Sequence, residues 1–469
     1  MEHLKVDLLP HNQKAYENTE KMLENNGRAA IIHPTGTGKS YIALKLVQDN
    51  SDKKIIYIAP NLAIIDKFNE KLKEFGLNKE NIEVISYQKL NSMRKSGELF
   101  EKKYDLIILD EFHHYAADKW GLSIDNLLEN NNSAKILGLT ATPLRYGVGK
   151  DVRDVADEIF SNAIASEMST QDAIDKGILP IPDYTVGIYD YVDILENLKS
   201  IENSKSEDEL YKEQLNEIEK RLQKAVDTLP DLLKEKMSKN NGKYLIFCST
   251  IEDMNEKIEQ SKKMFGKVNN NITIRSISSL EKDHQKNKIK IKEFEKYQNQ
   301  DTLNLMYCVD MLNEGYHLED LDGGIMIRKT NSPTLYTQQL GRLLQTTKET
   351  TPIVIDLVNN IDAIKEIEEF ARSLNGIENR RTNFKFKISR ETEDIFDKID
   401  ELMDRKKQRN PQNAKYDGLL AKIKCPRKII MNDQSMKKRC KELDNLKIER
   451  DLIEGNDKQK RTLNKIIKI

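Results

Sequence analysis

The chain has 469 residues, 33% charged and 38% hydrophobic, and its 76 basic and 77 acidic side chains leave a formal net charge of −1. That length suggests about three domains, with enough apolar content for α/β cores and much solvated helix surface. No run approaches the roughly 18 apolar residues of a membrane span, Met1-Glu2-His3-Leu4-Lys5 lacks a signal-peptide core, and Cys248, Cys308, Cys425 and Cys440 show no C-x-x-C spacing. We therefore expect a cytoplasmic protein with no membrane segment, disulfide framework or metal-ligating cysteine site.

In chain order, the apolar stretch Ala29-Ala30-Ile31-Ile32 switches at His33-Pro34-Thr35-Gly36-Thr37-Gly38-Lys39-Ser40 before the helically periodic run Tyr41 to Val47. Strand, glycine-containing loop and helix in that order form a phosphate cradle. The loop Thr35 to Gly38 brings backbone N–H groups to a polyphosphate, Lys39 reaches the β and γ phosphates, and Ser40 offers a hydroxyl to Mg²⁺. A nucleoside triphosphate with Mg²⁺ is the expected ligand. His33 stands where the eight-residue pattern usually has its first glycine.

Further strands are expected at Ile55 to Ala59, Val84 to Tyr87, Leu106 to Leu109 and Ile136 to Leu139, alternating with helices as in a doubly wound parallel sheet. The third of these runs into Asp110-Glu111-Phe112-His113. Asp110 suits a water-mediated contact to Mg²⁺, and Glu111 suits orienting or deprotonating a water that attacks the γ phosphate. An acidic pair by itself reads more often as a solvated strand end, and it is the phosphate loop upstream that gives it chemical meaning. The fourth strand closes on Thr140-Ala141-Thr142-Pro143.

The first core, residues 1–182, is expected to end at Pro180-Ile181-Pro182. A hinge strand and polar helical linker fill 183–242, where Leu215, Ile218, Leu222, Val226 and Leu229 share one helical face that Pro230 ends or kinks. A second α/β core spans 243–358, with strands at Tyr244 to Ser249, Leu303 to Val309 and Ile353 to Ile355. The mostly helical remainder, 359–469, includes a basic tail: residues 400–469 hold 20 Lys and Arg against 11 Asp and Glu, net +9 on a chain of −1. Such clusters bind phosphate backbones or simply solvate a helix face.

These segments, in this order, resemble the superfamily 2 helicases. The Lys39 loop is similar to their motif I, Asp110-Glu111-Phe112-His113 to the DExH motif II, and Thr140-Ala141-Thr142 to motif III. Tyr244 to Ser249 looks like motif IV, Asn313-Glu314-Gly315 like motif V, and Gln338-Gln339-Leu340-Gly341-Arg342 like motif VI. Within the superfamily, Asp110 to Trp120 and the form of motif VI look closest to the restriction-enzyme motor subunits and related DEAD/DEAH-box proteins. The resemblance implies two tandem RecA-like cores hydrolysing ATP, with Thr140 and Thr142 coupling nucleotide state to nucleic-acid grip. It implies that Arg342 neutralises transition-state charge, that Gln338 contacts the γ phosphate or the water, and that Gly315 lies at the nucleotide. Gln13, in Leu9-Pro10-His11-Asn12-Gln13, falls where the family reads adenine. Gln345 replaces the final arginine that many members carry. The implied partners are nucleic acid, DNA favoured over RNA, and other proteins in a multi-subunit, restriction-like system; an ATPase switch acting on partner proteins is the alternative.

Overall fold

The computed structural model describes residues 4–77, 80–146, 152–199, 209–237, 241–278, 284–296, 301–309, 318, 320–330, 332–344, 351–361, 388–390, 395–399 and 401. Asn313, Glu314, Gly315, Gln345 and nearly all of the basic tail lie outside the described residues.

The first core contains α1 (Pro10–Asn26), β1 (Arg28–Ile32), α2 (Lys39–Asp49), β2 (Ile55–Ala59), α3 (Leu62–Glu74), β3 (Ile82–Ser86), α4 (Tyr87–Ser96), β4 (Leu106–Asp110), α5 (Asp118–Asn130) and β5 (Lys135–Thr140). A short antiparallel pair, β6 (Leu144–Tyr146) and β7 (Val152–Asp154), then leads to α6 (Val155–Phe160) and β8 (Ile164–Glu167). Six strands form a parallel sheet in the order β3-β2-β4-β5-β1-β8. Its inner strands are apolar on both faces because helices cover both, as β2 and β4 show by being buried along their whole length. Apolar clusters therefore form on each side, one around Ile31, Leu44 and Leu137 and the other around Leu109, Phe112 and Ile136. The strand expected at Val84 to Tyr87 is shifted: β3 starts at Ile82, and Tyr87 already begins α4, because the Ser86 hydroxyl accepts from Lys89 N and caps that helix.

The second core contains α7 (Thr170–Asp175), β9 (Asp183–Val186), α8 (Val192–Lys199), α9 (Glu209–Asp227), α10 (Leu229–Lys236), β10 (Lys243–Phe247), α11 (Ile251–Phe265), β11 (Ile272–Ser278), α12 (His284–Lys296), β12 (Leu303–Val309), β13 (Gly323–Met326), α13 (Pro333–Leu344), β14 (Ile353–Asp356) and β15 (Ile388–Arg390). Seven strands pair in parallel in the order β11-β12-β10-β13-β14-β9-β15.

Two expectations about organisation change here. The segment read as a hinge strand is an integral strand of the second sheet, Asp183 to Val186 pairing with Ile353 to Asp356. The boundary also falls earlier than Pro182. Met168, Ala173, Ile174 and Leu179 are buried with Tyr184, Phe294 and Tyr336 of the second core, so the chain changes cores directly after β8. A capping box between Ser169 and Asp172 starts α7 as a new element at that point. The linker helices pack as a satellite: Leu215, Ile218 and Leu222 of α9 bury against Ile188, Leu198 and Ile395. Pro230 sits in the first turn of α10, where a missing N–H is harmless. Among the described residues no helix is long and apolar enough to cross a membrane.

Candidate functional site

The phosphate loop joins β1 to α2 at the C-terminal end of the first sheet. Gly36 and Gly38 have φ of 94° and 85°, a region that L side chains avoid, and a β carbon at Gly38 would lie 2.7 Å from Asn12 Nδ2. Both glycines are therefore required by shape. Lys39 Nζ donates to the carbonyls of His33 (2.7 Å) and Pro34 (3.2 Å), and Thr37 Oγ1 donates to Pro34 O at 2.9 Å. The start of α1 clamps the loop from below: Asn12 Nδ2 donates to Thr37 O at 2.8 Å, and His11 Nε2 lies 2.9 Å from the same oxygen. Gln13 does not join this group. It is exposed, its amide donating to Glu17 Oε1 at 3.0 Å.

His33, in place of the usual glycine, is fully buried with Nε2 2.8 Å from Ser166 Oγ. Burial and then the Lys39 charge lower its pKa to about 3, so the ring is neutral at physiological pH. It adds no competing cation to the cradle.

Asp110 and Glu111 end β4 beside Lys39. Asp110 is buried, and burial together with the Glu111 charge pushes its pKa up to about 6, against the opposing pull of the Tyr57 hydroxyl and Lys39. Tyr57 OH bonds Asp110 Oδ2, and Tyr87 OH donates to Asp110 O at 2.8 Å. Burial lowers the Lys39 pKa; Glu111 and Asp110 counteract this, and the Arg342 charge adds to the lowering. Glu111 has φ 50° and ψ 52°, a left-handed conformation costing a non-glycine residue about 1 kcal/mol. It sets Oε2 3.3 Å from both His113 Nδ1 and Thr140 Oγ1. Thr140 Oγ1 is also 3.0 Å from His113 Nδ1 and accepts from Thr142 N at 3.2 Å. The Thr142 hydroxyl is buried without a hydrogen-bond partner.

The second core contributes α13. Gln338, Gly341 and Arg342 follow three- and four-residue spacing and share one helical face, opposite Tyr336, Leu340 and Leu343, which face the second core's interior. That face meets the phosphate loop so closely that a β carbon at Gly341 would lie 2.9 Å from Thr35 Cβ. Gln338 is 4% exposed and its Nε2 has no partner, a buried donor at the seam between the cores.

Lys39, Asp110, Glu111, Thr140, Gln338 and Arg342 are thus brought to one cleft. The cradle fits a nucleoside triphosphate with its cation: the loop lacks β carbons where backbone N–H groups must approach, and two buried carboxylates face a buried ammonium. Sequence reading missed three contributors. His11 and Asn12 adjoin the Gln13 it selected, and only the fold shows which of the three faces the loop. Tyr57 sits within an apolar strand, where nothing local marks its hydroxyl as the partner of Asp110.

Two family models match, "Type III restriction enzyme, res subunit" over residues 5–145 and "Helicase conserved C-terminal domain" over residues 224–346. The chain is 33% identical over 140 residues to an uncharacterized killer plasmid helicase of Kluyveromyces lactis, a match covering 28% of this chain and 23% of that protein. It is 23% identical over 266 residues to the type I restriction enzyme EcoAI endonuclease subunit of Escherichia coli, covering 50% and 31% respectively. Among solved structures, an ATP-dependent type ISP restriction-modification enzyme, LlaBIII bound to DNA, has the same fold over 86% of this chain and 33% of its own, with a TM-score of 0.58 at 16% identity. The chain accordingly spans a third or less of the length of these relatives. With one model on each of its two parallel-sheet cores, and restriction-enzyme and helicase proteins among the relatives, the matches support a superfamily 2 helicase related to the restriction-enzyme motor subunits.

Proposed function

We propose that this protein is an ATP-dependent nucleic-acid translocase or helicase, hydrolysing ATP between its two cores to move along or remodel DNA in preference to RNA. The observation that carries this reading is the seating of α13 on the phosphate loop, with Gly341 against Thr35 and the Arg342 charge acting on Lys39. A nucleotide between these surfaces would be gripped by both cores, so its hydrolysis would change how they sit together.

In this reading Thr35, Gly36, Thr37, Gly38 and Lys39 bind the phosphates, and Ser40 with Asp110, the latter through water, holds Mg²⁺. The cation supplies neutralisation of phosphate charge. Glu111 accepts the proton of the attacking water. Its strained backbone and its contacts to His113 and Thr140 hold the carboxylate in place. Gln338 orients the γ phosphate or the water from the opposite core, and Arg342 stabilises charge developing on the transferred group. Thr140, touching Glu111, passes the state of the cleft towards the nucleic-acid surface, and Thr142 continues that path through its backbone N–H. Gln13 reads the base from the exposed start of α1, and Gly315 completes the nucleotide site from the second core.

The preference for DNA, a restriction-like setting and protein partners in a larger assembly draw support from the restriction-enzyme relatives. The test is ATP turnover with and without single- and double-stranded DNA and RNA. Stimulation by DNA above RNA is expected. Indifference to every nucleic acid would reject the motor and leave an ATPase switch that regulates partner proteins.

A further inference from the structure

On the side of α13 away from the phosphate loop lies a buried polar chain that the chemistry above does not use. Asp356, at the end of β14, is fully buried, with Oδ2 accepting from Tyr184 OH at 2.9 Å and from Ile361 N at 3.1 Å. Its Oδ1 accepts from Val358 N at 3.3 Å. Tyr184 OH lies 2.9 Å from Tyr336 OH, and both phenols are fully buried. Around them pack Met326, Leu340, Leu343 and Val354.

Removing a carboxyl group and two phenols from water is unfavourable unless each finds partners, and phenylalanines with an apolar residue at position 356 would fill the space without that demand. Apolar contacts tolerate sliding and rotation, whereas a hydrogen-bonded chain specifies one register. Here the register concerns three elements. Tyr184 is on β9, by which the chain enters the second sheet after leaving the first core; Asp356 is on β14, its hydrogen-bonded neighbour; Tyr336 is on α13, two residues before Gln338 and six before Arg342.

We infer that Asp356, Tyr184 and Tyr336 are positioning residues that fix the height and rotation at which α13 presents Gln338 and Arg342 to the phosphate loop. Tyr184 ties that setting to the entry strand, so a change in how the chain crosses between cores is felt at Arg342. This inference rests on the ATPase reading.

The test measures ATP turnover and thermal melting on the full chain and on Tyr336→Phe, Tyr184→Phe and Tyr307→Phe. Tyr307 is the control, an equally buried phenol whose hydroxyl lies 2.6 Å from Ser261 Oγ, in the cluster on the opposite face of the same sheet. Tyr336→Phe and Tyr184→Phe should each lower kcat about 10-fold with KM for ATP changed less than about 2-fold. Tyr307→Phe should keep kcat while lowering the melting temperature comparably. Equal loss of turnover in Tyr307→Phe, or unchanged kcat in Tyr336→Phe of a chain that hydrolyses ATP, would overturn the positioning role. A wild-type chain inert towards ATP under every condition would overturn the parent reading and this inference together.

Discussion

The first core presents its chemistry from loops fixed by near neighbours, whereas the second presents it from a helix fixed by residues far away in sequence. The phosphate loop is shaped by its own glycines, by Lys39 bonding back to His33 and Pro34, and by the start of α1. Arg342 is carried instead on a helix, α13. Its place depends on α13 lying on the second sheet, held by Tyr336 to Tyr184 across 152 residues of chain. Nucleotide binding should accordingly follow the first core, and turnover the relation between the two.

The sharpest way to break that division is to damage each core at its charged centre. Lys39→Ala should abolish detectable ATP binding and with it all turnover, while Glu111→Gln should bind ATP normally and hydrolyse it about 10²- to 10⁴-fold more slowly. Nucleotide titration and steady-state rates on both variants check this. Near-normal hydrolysis by Glu111→Gln would remove it from the mechanism. On the other side of the cleft, Arg342→Ala should keep ATP affinity within about 3-fold and lose about 10³-fold or more in turnover. Gly341→Ala is the milder probe. Its methyl group would press on Thr35, separating α13 from the loop, and should lower turnover about 10- to 100-fold without altering the melting temperature. An unaffected Gly341→Ala enzyme would mean that the cores do not approach this closely during hydrolysis.

The same contrast explains how much was legible in the sequence. Ile55 to Ala59 and Leu303 to Val309 are strands with the boundaries expected, because a run that is wholly apolar, or apolar but for Asn304, has nowhere to stand in a parallel sheet but between helices. The loop at Lys39 and the acidic end of β4 were readable for a related reason: glycine, lysine and paired carboxylates at a strand's end carry their geometry with them. Membership of α7 in the second core was not readable. Ala173, Ile174 and Leu179 are apolar residues that either sheet could bury, and the two prolines at 180 and 182 marked the approach to β9 more visibly than the true change of core. Nor could the sequence distinguish His11, Asn12 and Gln13, three adjacent polar side chains whose roles differ only through the angle at which α1 meets the loop. The Tyr184 to Asp356 bond is equally silent, since tyrosine in a buried strand looks like any aromatic.

A third probe asks how far the first core's site depends on its own interior. Gly138, in β5, sits under the Phe112 and Phe160 rings, which meet edge to face at a centroid distance of 5.0 Å. A β carbon there would lie 2.2 Å from Phe160 Cζ and 2.8 Å from Phe112 Cδ1. Gly138→Ala should destabilise the core by about 1–3 kcal/mol through overpacking, lowering the melting temperature by several degrees. Because Phe112 adjoins Glu111, turnover per folded molecule should fall as well. A lower melting temperature with unchanged turnover would show that the strained Glu111 backbone is held from the His113 and Thr140 side alone.

The smallest expected effect concerns an ion pair that joins the two cores, Lys288 of α12 to Asp66 of α3, whose side chains are 34% and 47% exposed. Partly solvated pairs of this kind are worth about 0–1 kcal/mol, and salt screens them. The pair joins α12 to α3, neither of which carries a residue of the proposed site, so it acts on the relation between the cores. Asp66→Ala should therefore change turnover by less than about 5-fold at low salt, with the difference disappearing by about 0.5 M salt. Asp66→Lys, which sets two ammonium groups against each other, should have the larger effect, and combining it with Lys288→Asp should restore the wild-type rate. If the charge-swapped chain recovers, the ion pair itself biases the approach of α13 to the phosphate loop; if Asp66→Lys stays impaired with its partner reversed, at high salt as well as low, Asp66 acts within the first core and the pairing across the cleft is incidental.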